Sequence, residues 1–547
     1  MMQGIVRRVA MQIYKHRHWH PVVRTAGRPD LAQTEVLRSI MSANHDTTFG
    51  RQHGFADIDR ALTFRERVPV QQYEMLRPYI ERQRRTGETA LTKEAPLFYA
   101  QTSGTTGRPK YIPITPTALA IHRAEQALFS YLQFRACAQA FDGMAMGIMG
   151  AAVEDHLDSG HAVGSVSGHL YASLPRFIQS RFVVPPAVST IADYELKYQI
   201  VLHLALAQPN ITYIGSPNPS TFLRLLDLLN RHRESLLRTL ASGTSSLITA
   251  LEPSLQSIVA NRMQAMPERA AQLQKLAELT YANVWPDVKL LTTWTGGSCG
   301  IALSALRNKL PAGALVMELG YQATEVRGTI PLEAETTGGL PPLHHTFLEF
   351  VEQSAWERER PEYLTLDQLQ RGVQYYVLVT TVTGLYRYFM NDLVEVTGFF
   401  QKTPLLRFVQ KGKGVTNLTG EKLYEAQVID AVQGELPRCG VTPTFFVMVA
   451  DDQAMAYRLM VEVQTGSPEA SEVGRAVDLR LRELNIEYRA KRESGRLAAL
   501  TLTWLRAGAG EAYKAAAVRA GQREGQLKPQ VLQHRKDLLM TFDDFIA

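Results

Sequence analysis

Between positions 117 and 136 apolar residues fall at Ile121, Ala124, Leu128, Tyr131 and Leu132. That is the three-and-four spacing of an amphipathic helix, and it leaves His122, Arg123 and Gln126 on a face that reads as solvated. The first 92 residues read as mostly helical and arginine-rich, broken at Pro29 and Pro69. Within them Ile5, Val9 and Ile13 form a stripe expected to pack on the protein's own core. Helices are predicted over 192–208, 221–232 with Ser220 as N-cap, and 301–309, with a longer helical stretch over 245–280. Short apolar runs at 211–214, 288–293 and 314–319 fit strands, while 346–351 and 374–381 fit an antiparallel pair. The stretch 143–173 holds His156, His161 and His169 among Gly, Ser and Met and follows neither period. It reads as pocket lining or as a long surface loop.

A second unit begins near 411, with a helix over 423–436, strands over 445–449 and 457–463, a helix over 468–484 and a strand over 500–505. This order predicts a small α+β domain with helices on one face of an antiparallel sheet. The segment Val409-Gln-Lys-Gly-Lys-Gly414 reads as a hinge. The expected division is therefore a large α/β domain with mixed sheets over 1–410 and a mobile lid over 411–547.

Composition narrows the classes. A chain of 547 residues exceeds a single core, and 45% hydrophobic with 20% charged residues describes a folded protein. A net charge of +6 suits anionic ligands such as nucleotides, but basic clusters are not interleaved with aromatics, so nucleic acid is not expected. Cys137, Cys299 and Cys439 are scattered and odd in number. They make neither a disulfide framework nor a metal motif, and they fit a reducing cytoplasm. No run of 18 apolar residues occurs, so no membrane span is expected. His16, His18 and His20 read as a solvated basic surface rather than a metal site.

The chemistry concentrates in four places. Tyr99-Ala-Gln-Thr-Ser-Gly-Thr-Thr-Gly-Arg-Pro-Lys110 packs Thr102, Ser103, Gly104, Thr105, Thr106 and Gly107 together. Glycines admit backbone N–H groups close to an oxyanion, hydroxyls add donors, and Lys110 adds charge at the rim, all between two β-like runs. Tyr321-Gln-Ala-Thr324-Glu325 offers a ring for a purine, a hydroxyl for phosphate and a carboxylate for magnesium. In Tyr386-Arg-Tyr-Phe-Met-Asn391-Asp392 an acid follows a strand, where it can receive ribose hydroxyls. Gly420-Glu-Lys-Leu423 opens a helix of the small unit.

In this order the four motifs resemble those of the auxin-responsive (Gretchen Hagen-type) acyl acid–amido synthetases, a branch of the adenylate-forming superfamily with bacterial members. The resemblance also covers Pro69–Tyr79, Asn218-Pro-Ser and Asn417-Leu-Thr-Gly-Glu-Lys-Leu423. It implies a ligase that uses ATP and Mg²⁺ to activate a carboxylic acid as an acyl adenylate, then transfers the acyl group to an amino acid. It further implies ATP binding by Thr102–Gly107, Lys110, Gly297, Ser298, Tyr321, Thr324 and Asp392, with Gly296, Gly297 and Ser298 as the glycine pair that lines the acyl and adenine pockets and Glu325 as the magnesium ligand. Catalysis falls to Lys528, with Thr105 of the loop. Two departures stand out: Asn391 replaces a glycine, and Lys528 sits in Gly525-Gln-Leu-Lys-Pro-Gln530, one residue shorter than the family pattern and without its arginine. Lys514 competes for the role. Two other readings remain open: transfer to the thiol of coenzyme A or a carrier protein, and a non-catalytic nucleotide-binding relative.

Overall fold

In the computed structural model the described residues are 2–102, 110–296, 299–358, 360–412, 414–416, 418, 421, 423–451, 453–465, 468–493, 497–520 and 529–547. Loop residues 103–109, Gly297, Ser298 and Lys528 lie outside them, as does Gly420.

Helix α1 (Met2–Tyr14) does not pack as its stripe predicts: Val9 and Ile13 are 54% and 53% exposed. Arg7 pairs with Asp142 at 2.6 Å, which turns the opposite face inward, and Met11 and Tyr14 join the core beside Trp19. Strands β1 (Phe98–Thr102) and β2 (Lys110–Ile114) then pair antiparallel with Thr102 opposite Lys110, so they flank the hydroxyl-rich segment in sequence. Helix α2 (Pro116–Ala136) follows, capped by the Thr115 side chain, which accepts from the Ala118 N–H.

Strands β3 (Met144–Gly147), β4 (Asp155–His156) and β5 (Ala162–Gly164) occupy the irregular stretch, and β4 and β5 extend the hairpin sheet in the order β2-β1-β5-β4. Strand β6 (Ile211–Gly215) precedes α3 (Ser220–Arg231). Ser220 is inside that helix rather than its cap; the Asn218 side chain accepts from the Ser220 N–H instead. The stretch 245–280 is several short helices, including Pro253–Ala260 and Pro267–Gln274, because each proline lacks the N–H that a continuous helix needs.

Strand β7 (Leu290–Thr293), helix α4 (Cys299–Arg307) and strand β8 (Leu315–Glu318) complete a parallel sheet of order β3-β6-β7-β8. Every residue of β7 is buried, as a strand covered on both faces requires. Strands β9 (Phe347–Glu352), β10 (Gln374–Thr380), β11 (Tyr388–Phe400) and β12 (Thr403–Lys411) form an antiparallel meander.

Past β12, Leu423 and Tyr424 form a short strand, β14, paired with β13 (Val415–Thr416), so helix α5 (Glu425–Arg438) starts two residues later than the pattern suggests. Strands β15 (Thr442–Asp451) and β16 (Ala456–Thr465), helix α6 (Ala470–Leu484), strand β17 (Thr501–Leu505), helix α7 (Ala509–Arg519) and strand β18 (Leu532–His534) finish the α+β unit. Its sheet, β17-β16-β15-β18, is mixed rather than purely antiparallel. Helices cover both faces rather than one. Phe446, Met448 and Ala450 pack with α5 and α6, while Val447 and Val449 pack with Ala509 and Tyr513 of α7. The strand core Phe445-Phe-Val-Met-Val449 is apolar at every position, which requires that burial.

Candidate active site

The parallel strands β3, β6, β7 and β8 run their C-terminal ends into one cleft of about 2370 Å³, the usual place for a ligand in an α/β sheet. Gly147, Gly215, Thr292 and Leu319 line its floor. Lys110, Gly296, Tyr321, Thr324, Glu325 and Asp392 all line the same cleft, so residues of three of the four motifs meet there. Of the fourth, Glu421 is fully buried and accepts from the Tyr457 hydroxyl at 2.5 Å within the small unit.

Lys110, at the base of the hairpin, donates from Nζ to the Tyr388 hydroxyl at 3.3 Å and stands 5.6 Å from the Tyr73 ring centroid. The starts of β2 and of the acid-bearing strand β11 are thereby joined. Thr324 and Glu325 form the tip of a tight turn closed by Ala323 N–H to Val326 O at 2.9 Å, with the reverse bond at 3.3 Å. At the end of β7 the Thr295 N–H donates to the Glu318 carboxylate at 2.7 Å, which fixes the backbone leading into Gly296.

Asp392 sits in a bulge: Tyr376 faces Leu393 and Leu378 faces Phe389, so three residues of β11 oppose Val377. Asn391 adopts φ +52° there. Asparagine tolerates this left-handed conformation better than most side chains, so the turn survives without glycine. Asp392 is fully buried, and one carboxylate oxygen accepts from the Tyr321 hydroxyl at 2.6 Å. The Tyr321 ring lines the cleft and packs against Phe408 (centroids 5.6 Å apart, planes at 17°).

The polar side of α2 is not a solvated face. His122 and Gln126 line the cleft and only Arg123 of the three is exposed. The irregular stretch does line the cleft, through Met149, Val166, Leu170 and Tyr171 among others, but its histidines do not. His169 stacks on Phe98 at 3.6 Å and His161 meets Tyr99 edge-on. Lys514 lies on α7 and its ammonium meets Glu511 at 2.7 Å. Among the described residues no helix is long and apolar enough to cross a membrane, and no group of three His, Cys, Asp or Glu is placed to hold a metal. Cys137, Cys299 and Cys439 form no disulfide.

Three family models match the chain in the order of its elements: the GH3 family N-terminal domain over residues 20–313, the central domain over 340–411 and the C-terminal domain over 426–537. The chain belongs to the GH3 family. Among similar proteins is indole-3-acetic acid-amido synthetase GH3.15 of Arabidopsis thaliana, 26% identical over 73% of this chain and 71% of that protein. Another is a probable indole-3-acetic acid-amido synthetase, GH3.2 of Oryza sativa subsp. japonica, 26% identical over 91% and 87% of the two chains. A solved GH3.15 acyl acid amido synthetase superposes with a TM-score of 0.85 at 22% identity, covering 96% of this chain and 95% of that one. A 2-hydroxyisobutyryl-CoA ligase in its postadenylation state shares the broader fold, with a TM-score of 0.55 at 13% identity over 87% and 86% of the chains.

Two residues of this GH3 cleft, Arg327 and Glu425, and one buried behind its wall, Glu125, are not evident from its motifs. Arg327 is 8% exposed, with its guanidinium 4.8 Å from the Phe129 ring centroid and Nη1 donating to Gln126 at 3.3 Å. Burial pulls its pKa down to about 10, against the pull of Glu125, so it stays cationic at neutral pH. Glu425 accepts from the Val531 N–H at 3.0 Å, and burial pushes its carboxyl up to about 7. Glu125 itself meets His345 at 3.3 Å and His122 at 3.6 Å. Burial raises its pKa, but the two histidines outweigh burial and hold it at about 2.

Because the folded carboxyl titrates below its unfolded value near 4.5, the stabilisation is present above pH 4.5 and lost as pH falls toward 2. Acid unfolding of the wild type is therefore expected to carry a contribution of roughly 3 kcal/mol from this group. Glu125→Gln is expected to flatten that limb of a stability–pH curve measured by urea titration between pH 6 and 3. An unchanged slope refutes the assignment.

Proposed function

We propose that this GH3 protein is an acyl acid–amido synthetase. It activates a carboxylic acid with ATP as an acyl adenylate, then transfers the acyl group to the amine of an amino acid. The observation that carries the reading is convergence: hairpin base, Thr324–Glu325 turn and the Tyr321–Asp392 pair share one cleft in a chain of this family.

In the first step a carboxylate oxygen of the acid bonds to the α-phosphorus and pyrophosphate leaves. The barrier is lowered by in-line positioning and by donors aimed at the charge that develops. The hairpin loop and Lys110 hold the departing phosphates, Asp392 receives the ribose, and Lys528 approaches the α-phosphate as the lid above 411 turns about 411–414. Arg327 gives the wall a positive charge suited to an anionic substrate. Glu325, at the tip of its turn in the cleft wall, fits a cation held mostly by nucleotide oxygens, since magnesium commonly takes only one or two protein carboxylates. Mg²⁺ bound there would neutralise phosphate charge.

In the second step the amine nitrogen bonds to the acyl carbon and AMP leaves. The incoming amine must lose a proton. Glu425, titrating near neutrality in the cleft wall, is placed to take it.

The test is a pyrophosphate-release screen across a library of carboxylic acids, followed by mass spectrometry with amino acids and coenzyme A in competition. Amide together with AMP is expected. Thioester without amide overturns the acceptor assignment, and nucleotide binding without release of pyrophosphate for any acid overturns the enzyme reading.

A further inference from the structure

Helix α1 presents two opposite faces. Arg7, Ala10, Met11 and Tyr14 line the cleft. Arg8, Val9, Gln12, Ile13, His16 and Arg17 are all exposed and share a shallow depression on the outside of the protein. At about 100° per residue the two sets fall on opposite sides of the helix, and the outer one continues into the π-helical turn Lys15–Trp19. The helix cannot roll to bury Val9 and Ile13. Arg7 is held by the Asp142 carboxylate and the Phe141 carbonyl, while Trp19 is buried against Phe400 (centroids 5.4 Å apart) with the Arg135 guanidinium 4.9 Å from its ring centroid. Two aliphatic side chains one turn apart are therefore kept in water.

Charge says what would cover them. Of 59 Lys and Arg, six lie in the first 29 residues beside no Asp or Glu, and the remaining 53 balance 53 acids, so the whole net charge of +6 belongs to this one segment. A second copy docked on the same face would set Arg8 and Arg17 against their own equivalents. A protein partner would need shape complementarity and aromatic anchors, and the outer face offers only Val9 and Ile13. A lipid surface needs neither: it takes the apolar side chains at the acyl boundary while arginine stems lie along them and the guanidinium groups meet lipid phosphates.

We infer that the outer face of α1 docks the protein reversibly on anionic phospholipid surfaces, with Val9 and Ile13 entering the interface and Arg8 and Arg17 pairing with headgroups. The inference goes beyond the synthetase reading and does not depend on it. Because the inner face of the same helix is cleft wall, docking sets that wall one helix diameter from the lipid.

The experiment is co-sedimentation of the full chain with sucrose-loaded vesicles of phosphatidylcholine, alone or with about 30% phosphatidylglycerol. Wild type is expected to partition to the anionic vesicles at least about tenfold better, and to lose that advantage in about 0.5 M salt. Arg8→Gln with Arg17→Gln should lower partitioning roughly twentyfold, at about fivefold for each basic group near the surface. Val9→Ser with Ile13→Ser should lower it by about tenfold or more, through lost apolar burial. All four side chains are exposed, so thermal midpoints should match that of the wild type. Arg371→Gln with Lys275→Gln, exposed residues outside the segment, should bind as wild type does. Equal partitioning to both vesicle types overturns the inference, as does a control pair that loses as much as the α1 arginine pair. Binding that falls in the arginine pair but not in Val9→Ser with Ile13→Ser overturns insertion, because that is adsorption by charge alone. A concentration-dependent dimer in sedimentation velocity, dissolved by Ile13→Ser, assigns the face to a second copy instead. Capture by immobilised polyglutamate without binding to vesicles assigns it to an acidic protein, and either result overturns the inference.

Discussion

Replacing Lys528 with alanine is expected to lower acid-dependent pyrophosphate release by roughly 10²–10³-fold while leaving equilibrium binding of ATP within a few-fold of wild type. The split follows from where charge develops. The α-phosphate gains charge only as the carboxylate oxygen attacks, so a lysine aimed at it acts on the transition state more than on bound substrate. The competing lysine, Lys514, meets Glu511 on its own helix and is expected to change the rate by less than about threefold when mutated, as an exposed i,i+3 pair does. Single-turnover pyrophosphate release by both variants, beside calorimetric ATP binding, separates the two. A large loss in Lys514→Ala with none in Lys528→Ala reverses the assignment.

The sequence revealed the cleft more readily than it revealed what the cleft walls are made of. The hairpin, the strand at 288–293 and the meander strands follow from short apolar runs bounded by glycine and proline, signals that are local. The acid of β11 was legible for the same reason, as a carboxylate beside a strand. Arg327 and Tyr321 gain their significance from Phe129 and Asp392, partners 198 and 71 residues away, and no local period encodes such a meeting. The α2 face illustrates the difference. His122 and Gln126 are off the apolar stripe and look solvated, yet they face a cleft, which is polar and wet without being outer surface. The split of 245–280 is another matter: Pro253 and Pro267 mark it in the sequence, and the apolar content between them masked the break. In the small unit, alternation on a strand apolar at every position gives no preferred face, so a second helical layer had no separate signature.

What holds the acid-bearing strand in place is itself charged and buried, which leads to the largest expected loss of stability. Glu349 on β9 is 1% exposed and accepts from Arg65 Nε at 2.8 Å and Arg387 Nε at 2.9 Å. Arg387 adopts φ +45°, a conformation unusual for a non-glycine residue, and also donates to the Val68 carbonyl at 2.8 Å. It lies one residue before β11 and five before Asp392. Its carbonyl accepts from the Gln71 N–H at 3.0 Å, while the Phe389 N–H donates to the Gln71 carbonyl at 2.9 Å. The segment 68–71 is thus pinned to the start of the strand that carries Asp392, and it leads directly into Tyr73 beside Lys110.

Glu349→Gln preserves shape and removes the countercharge from two guanidinium groups, one of them 3% exposed. Breaking a buried pair from one side leaves an uncompensated charge, so a loss of about 3–5 kcal/mol is expected. Urea unfolding should detect it as a lower midpoint. Asp430→Gln is the control, because its bond to Arg480 is at the surface, where such pairs contribute about 0–1 kcal/mol. The triple replacement Arg65→Met, Glu349→Leu, Arg387→Met removes charge from both sides and should recover much of the loss, since an apolar cluster needs no countercharge. A Glu349→Gln midpoint equal to that of the Asp430→Gln control rules out the clamp. A lowered midpoint that the triple variant does not restore shows instead that the geometry of the fork, not its charge balance, fixes the strand.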